Sequence, residues 1–297
     1  MTISRGGFAA LLSPGLQKVF LNEFDVWEPE YTEIYNIDQS NKQFEEEQLI
    51  TGFGIMNTKT EGAAVTYEDI SQGYTTRYTH TTFEKAVRIT QEMYEDDLYG
   101  VMKNMVGALA RSAKQRMEVD GASTFNNAFS SSFVGADGVA LISAVHPLSI
   151  GGTQSNALAA SSDLTVASLQ EAVQVLETCQ DEKGVQLALR AKTLLVPPAR
   201  QWQAYELTGS QYKPGVSDNE INVLKGKGIV PVVNHYLTDT NNWFLLADDH
   251  KVTWKWRVKL SFFTGNDFDT DDAKSKARMR YSKGFTDWRG VTGSNPS

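Results

Sequence analysis

Residues Thr90 to Phe129, TQEMYEDDLYGVMKNMVGALARSAKQRMEVDGASTFNNAF, constrain this chain more than any other stretch. Leu98, Met102, Met105, Leu109, Ala113 and Met117 recur at steps of three and four, which places them on one face of a helix with about 3.6 residues per turn. Lys103, Arg111, Lys114 and Glu118 fall off that stripe. Thr90 is a candidate N-cap, and Glu92, Glu95, Asp96 and Asp97 suit the positive end of the helix dipole. At about 1.5 Å per residue, a helix from Glu92 to Phe129 spans roughly 57 Å, more than a small domain is wide. The stripe keeps no heptads, its charges exclude a membrane span, and no repeat follows it. It therefore reads as a spine along which other elements are laid. Gly107 and Gly121 each cost about 1 kcal/mol relative to Ala inside a helix, so the alternative is two helices joined near one of them.

The rest of the chain is ordinary in composition, with 41% hydrophobic and 22% charged residues over 297 positions, enough for one large domain or two moderate ones. A net charge of −8 makes it a poor general binder of nucleic acid, which needs a basic footprint. The lone cysteine, Cys179, permits no intramolecular disulfide and fits synthesis in a reducing cytosol. The N-terminal apolar run, Phe8 to Leu12, is short for a secretory signal, and no apolar stretch approaches the ~18 residues of a membrane span.

Residues 1–35 read as an arm. Gly6, Gly7, Pro14 and Gly15 break it, Gln17 to Phe24 can form a short helix, and Phe8, Phe20, Phe24, Trp27, Tyr31 and Tyr35 are spaced along it as anchors. Those anchors dock either on another copy or, as a strap, on the chain's own core. Residues 36–89 are rich in Thr, Glu, Gln and Gly. Arg77, Thr79, Thr81, Phe83, Lys85, Val87 and Ile89 alternate with Tyr78, His80, Thr82, Glu84, Ala86 and Arg88, which is strand periodicity. Pairing with a strand near Gln43 to Gly52 makes a long hairpin, too poor in apolar residues to stand without a partner. Glu45, Glu46 and Glu47 form a solvated patch or a salt-bridge partner for a neighbour.

After the spine, a Gly- and Ser-rich region contains a short strand at Val139 to Ile142, and a helix from Thr165 to about Gln180 carries Leu169, Ala172, Val173, Leu176 and Cys179 on its apolar face. Residues 191–250 read as a compact α+β unit: a strand at Leu194 to Val196, a helix opened by Pro197-Pro198, then strands at Ile221 to Leu224, Ile229 to Asn234 and Trp243 to Ala247. Val252 to Phe262 alternates Val252, Trp254, Trp256, Val258, Leu260 and Phe262 against Thr253, Lys255, Arg257, Lys259 and Ser261. A final strand at Ala277 to Phe285 precedes a frayed tail, GVTGSNPS.

Catalytic signatures are scarce. His80, His146, His235 and His250 have no i, i+4 metal spacing, and HExxH, CxxC, P-loop, GxSxG and strand-borne GxGxxG patterns are missing. Cys179 as a nucleophile conflicts with its apolar helix face. Asp267, Asp269, Asp271 and Asp272 begin like a calcium loop, but Asp272 and Arg278 stand where that loop needs Gly and Glu, so a solvated acidic turn is the better reading. Lys255, Arg257 and Lys259 lie opposite their aromatic neighbours. That separation fits half-burial, with the charges paired to acidic loops of the same or a neighbouring chain, better than a nucleic-acid platform.

Four segments resemble the HK97-type major capsid protein of tailed phages, and more narrowly the Mu-type major head subunit family: GADGVALISAVHPLSIGGTQSN at 135–156, DEKGVQLALRAKTLLVPPARQWQAYELTGS at 181–210, VVNHYLTDTNNWFLLAD at 232–248 and YSKGFTDWRG at 281–290. The resemblance implies an α+β HK97-like fold with an N-terminal arm at 1–35, an extended E-loop at 36–89, a P domain with the spine at 90–190, an A domain at 191–250, and a return to the P domain at 251–297. It implies hexamers and pentamers closing into an icosahedral shell around double-stranded DNA, assembled in a host cytoplasm with portal, scaffold and decoration proteins. It implies no catalytic residue, cofactor or metal. No scaffold-like charged helical segment precedes the arm, so the scaffold is expected to be separate or removed earlier. Candidate contacts between copies are Phe8, Phe20, Phe24, Trp27, Glu45, Glu46, Glu47, Arg77, Lys255, Arg257 and Lys259. An encapsulin-like nanocompartment shell is the near alternative. A soluble hydrolase using Cys179 or the Asp267–Asp272 cluster is the alternative from another class.

Overall fold

The computed structural model describes residues 8–26, 28–90, 92, 93, 96, 100–213, 220–266 and 272–296, with side chains from Gly15 onward. Its spine is a single helix, Val101–Asn126, about 39 Å long at about 1.5 Å per residue. It starts later than Glu92. Gly100 precedes it at φ 68°, a left-handed conformation that suits glycine and interrupts any helix arriving from upstream. Thr90 accepts instead from the Met93 amide at 3.3 Å. Leu98 lies outside the described residues.

Neither internal glycine breaks the spine. A Cβ on Gly121 would stand 2.7 Å from Tyr31 Cβ, and one on Gly107 would stand 3.2 Å from Glu23 Cγ. Both glycines let the arm approach the helix closely. The buried side is accordingly turned from the predicted stripe and includes Val106, Leu109, Ala110, Lys114, Met117, Glu118 and Phe125. Lys114 and Glu118, expected off the stripe, face inward because arm backbone supplies their partners: the Lys114 amine donates to the Phe24 carbonyl at 2.9 Å, and the Glu118 carboxylate accepts from the Glu30 and Tyr31 amides at 3.1 and 3.2 Å.

The arm forms a helix, Phe8–Phe24, longer than the expected Gln17 to Phe24. Leu16 and Phe20 pack with Val106, Leu109, Ala110 and Ala277, and the Phe20 ring stacks on Phe262 at 4.6 Å. After it, Tyr31 and Tyr35 enter the main core beside Trp254, at 4.5 and 5.8 Å between ring centres.

Two four-stranded sheets share that core. In the first, β1 (Asn36–Gln39) lies parallel to β10 (Val252–Asn266), which pairs antiparallel with β11 (Ala273–Phe285), and β11 pairs antiparallel with β4 (Thr81–Ile89). Two bulges in β10 restore its phase, so Trp254 and Trp256 before them and Leu260 and Phe262 after them share the core side. Val258, between the bulges, pairs with Arg280, out of step with the predicted alternation. The second sheet has the order β12 (Val291–Ser294), β9 (Trp243–Ala247), β7 (Ala191–Val196), β8 (Val230–Val233). The helix Val166–Glu177, capped by Thr165 and Ser168 in a capping box, and the helix Gln201–Gly209 pack with this sheet in one apolar cluster.

Several expectations are corrected. The alternation from Arg77 to Ile89 is not one strand. It divides at His80, and β3 (Gln72–Thr79) pairs with β2 (Phe44–Ile50) while β4 joins the first sheet. Tyr78 and Ile89 both lie inward, in different layers, which a single period-two count cannot separate. Val139 to Ile142 forms only an isolated bridge, Val134 to Ala140. Ile221 to Leu224 is not a strand: Ile221 bridges Tyr212, and Val223–Lys227 is a 3-10 turn capped by Asn222. The tail is not frayed. Val291–Ser294 is wholly buried because it hydrogen-bonds along Trp243–Ala247 and closes the second sheet.

Candidate assembly surfaces

Between β2 and β3 the chain leaves the body as an irregular loop, 51–71. Its base is closed by Thr51, whose hydroxyl donates to the Ser71 carbonyl and accepts from the Ser71 amide, both at 2.8 Å. Its far end turns at Thr60 to Ala63, with Gly62 at φ 80°. One ion pair, Lys183 to Glu68 at 2.6 Å, ties it to the body. Along this loop Met56 is 97% exposed, Tyr67 93% and Ile55 79%, and Phe53, Val65 and Ile70 are also exposed. Such an apolar run with no cover in its own chain is a candidate interaction surface.

The hairpin root is rigid by comparison. Lys255, buried, pairs with Glu47 and with Asp38, the latter at 3.3 Å, beneath the Tyr78 ring. Burial opposes the ammonium charge, but the hydrogen bonds and charges of Glu47 and Asp38 outweigh it and hold the amine above the usual lysine range. Thr286 ties the root to the chain's other end. Its hydroxyl donates to Glu47 and bonds the Tyr78 hydroxyl at 2.8 Å.

The candidate contacts between copies therefore divide. Phe20, Glu47 and Lys255 are used within the chain, and Phe24 is partly buried against its core. Phe20 and Phe24 sit as the strap reading of the arm expects, and Glu47 and Lys255 pair with each other at the hairpin root. Glu45 bonds Ser40 and Lys42 nearby. Arg77 sits on the exposed hairpin, 3.8 Å from the Phe44 ring centre and 3.8 Å from Glu46. Lys259 is exposed and Arg257 half-buried. Trp27 and the Phe8 side chain lie outside what is described.

The sequence reading missed the work done inside 135–156. His146 is fully buried, its Nδ1 is 2.7 Å from Asp137 and its Nε2 is 3.1 Å from Asn156 Oδ1, and its ring stacks on Trp288 at 4.2 Å. The Asn156 side-chain amide donates to the Leu141 and Val291 carbonyls at 2.8 and 2.9 Å, and its backbone carbonyl accepts from Thr292 at 2.6 Å. Beside this network, buried Arg289 pairs with Glu182 at 3.0 Å and donates to the Gln180 carbonyl at 2.8 Å. The motif pins the C-terminal strand in place. Its only signal in sequence is the presence of Asp, His and Asn within an otherwise small and apolar segment.

The hydrolase reading gains nothing here. Burial pushes the Cys179 thiol up to about 11, which leaves it protonated and a weak nucleophile. Asp267, Asp269 and Asp271 lie outside the described residues, and Asp272 is buried against Arg88 rather than solvated. Among the described residues no three His, Cys, Asp or Glu side chains converge to hold a metal, and no described helix is long and apolar enough to cross a membrane.

A family model described as phage capsid protein matches residues 73–293, more than half of the chain. No curated protein matches it. Among solved structures, the capsid of cyanophage P-SCSP1u superposes with a TM-score of 0.60 at 9% identity, covering 89% of this chain and 86% of that one. A protein of Mycobacterium phage Adephagia superposes at 0.57 and 10% identity, covering 91% of each chain. A virus-like particle from Pyrococcus furiosus superposes at 0.54 and 12% identity, covering 94% and 98%. At these identities the likeness shows the fold, and the HK97-like α+β architecture expected from the sequence is borne out.

Proposed function

The chain belongs to the phage capsid protein family, and from that premise we propose that copies of it assemble, as hexamers and pentamers, into an icosahedral head around double-stranded DNA. It is a structural capsid protein. The finer placement in the Mu-type head subunit family rests on the four sequence segments at 135–156, 181–210, 232–248 and 281–290. We read 1–35 as the arm, 36–89 as the E-loop, 90–190 with 251–297 as the P domain and 191–250 as the A domain, with Val291–Ser294 returning to the A-domain sheet. Assembly would take place in the host cytoplasm with portal, scaffold and decoration proteins. Catalysis has no part in this role.

One observation carries the reading. The loop 51–71 is anchored at its base and uncovered at its tip, with Ile55, Met56 and Tyr67 almost wholly exposed. A second copy that buries this tip offsets the cost of exposing it, because apolar burial contributes roughly 25 cal/mol per Å². The phage family match favours a head over an encapsulin-like compartment.

The test replaces Ile55, Met56 and Tyr67 together by Ser. These side chains touch little in their own chain, so the variant should fold and unfold like the parent while large assemblies vanish from size-exclusion profiles. Unchanged assembly in that variant would overturn the role given to the loop.

A further inference from the structure

Where the arm leaves its helix, three segments converge on a cleft of about 260 Å³ lined by Glu28, Glu30, Lys114, Glu118, His235 and Tyr236. Glu118, on the spine, is 3% exposed and holds the arm by its backbone, accepting from the Glu30 and Tyr31 amides at 3.1 and 3.2 Å. Glu30 in turn accepts from the His235 amide at 2.9 Å and lies 2.6 Å from His235 Nδ1. Lys114, one turn before Glu118, donates to the Phe24 carbonyl. We propose that this junction is a proton-operated latch, in which the arm is held to the spine when Glu118 is neutral and loosened when Glu118 is ionised.

Burial of Glu118 and the acidic lining of Glu28 and Glu30 set the sign, against the two amides and Lys114 that favour its charge. An ionised Glu118 is withdrawn from water and lies close to the Glu30 carboxylate. Two amides and Lys114 compensate it only in part. Burial, with the Glu30 charge adding to it, raises the Glu118 carboxyl to about 7, against the lowering effect of the Tyr31 and Glu30 amides and of Lys114. With the arm lifted, the carboxyl regains water and its ordinary value of 4.5. The docked arm therefore binds the proton more tightly, and docking weakens as pH rises from about 4.5 to about 7, then stays level. Across that window the docked-to-lifted ratio falls on the order of a hundredfold. The other groups facing Glu118 are Glu28, Glu30 and Tyr31 from the arm, Lys114 from the spine, and His235 and Tyr236 from the loop after β8, and Asp25 acts on Lys114. Burial lowers Lys114 and raises Tyr31, to about 12, and Tyr236.

Hydrogen exchange of the full chain at pH 5.0 and 7.5, corrected for the intrinsic rate, tests this on peptides spanning residues 28–35. Glu118→Gln keeps the shape and removes the proton. Protection in the wild type should fall by at least tenfold more than in Glu118→Gln between the two pH values. An equal change in both proteins, or a smaller change in the wild type, overturns the latch. Should Glu118→Gln fail to fold, Glu30→Gln serves: removing that neighbouring charge should move the midpoint of the wild-type transition to lower pH, and an unmoved midpoint overturns it.

Discussion

Gly107 and Gly121 sit on one helix and both lack a side chain, yet they answer to different neighbours. At Gly107 an added methyl meets the flexible end of Glu23, whereas at Gly121 it meets the fixed Cβ of Tyr31, a buried residue. Alanine gains about 1 kcal/mol of helix propensity at either site. Gly107→Ala should therefore be neutral or mildly stabilising in urea unfolding. Gly121→Ala should destabilise by about 1–2 kcal/mol, since overpacking outweighs that gain. Asn156→Ala should cost roughly 2–4 kcal/mol in the same measurement, because it strips the Leu141 and Val291 carbonyls and His146 of their partner at once. None of these roles was legible in sequence. Asn156 acts on carbonyls up to 135 residues away, and Gly121 on an arm 90 residues earlier, so local pattern shows the residue type without its partner.

The arm is an element whose energetics separate it from the loop. Phe20 is buried among Val106, Leu109 and Phe262, so Phe20→Ala should cost about 3 kcal/mol or more, read as a lower midpoint in urea. Deleting 1–26 removes that cover and should destabilise the body, where loop substitutions leave it unchanged. The short last strand belongs with the arm in this respect. Truncation after Gly290 removes an edge of the second sheet, the Val291 carbonyl that accepts from Asn156 and the Thr292 hydroxyl that donates to it. The truncated chain should unfold at lower urea than the parent, and equal midpoints would show that strand to be dispensable. Elements were legible where period and length agreed, as in the helix after Thr165 and most of β10 with its tryptophans, and the spine was legible as a helix but not in its start or its buried side. They were misread where a tertiary partner decided the outcome. His80 divides two strands that share one period, and the polar tail VTGS is a buried strand only because Trp243–Ala247 offers it an edge.

At the scale of the whole molecule, the described chain has a continuous core from the arm tyrosines through Trp254 and Tyr281 to Phe244, and one extended loop that stands apart from it. A net charge of −8 disfavours adhesion to polyanions, and buried cations such as Lys255 and Arg289 are paired within the chain, with Glu47 and Glu182. Fold class and family were legible because four dispersed segments and the order of elements agreed. The contacts between copies were not, since aromatic anchors such as Phe20 serve the chain's own core as readily as a neighbour's. The most direct measurement is electron microscopy of the purified full-length chain at high concentration, alone and with its genomic neighbours. Rings or closed shells of uniform curvature are the predicted result. Particles that remain strictly monomeric under both conditions would contradict the assignment of this chain as a self-assembling shell protein.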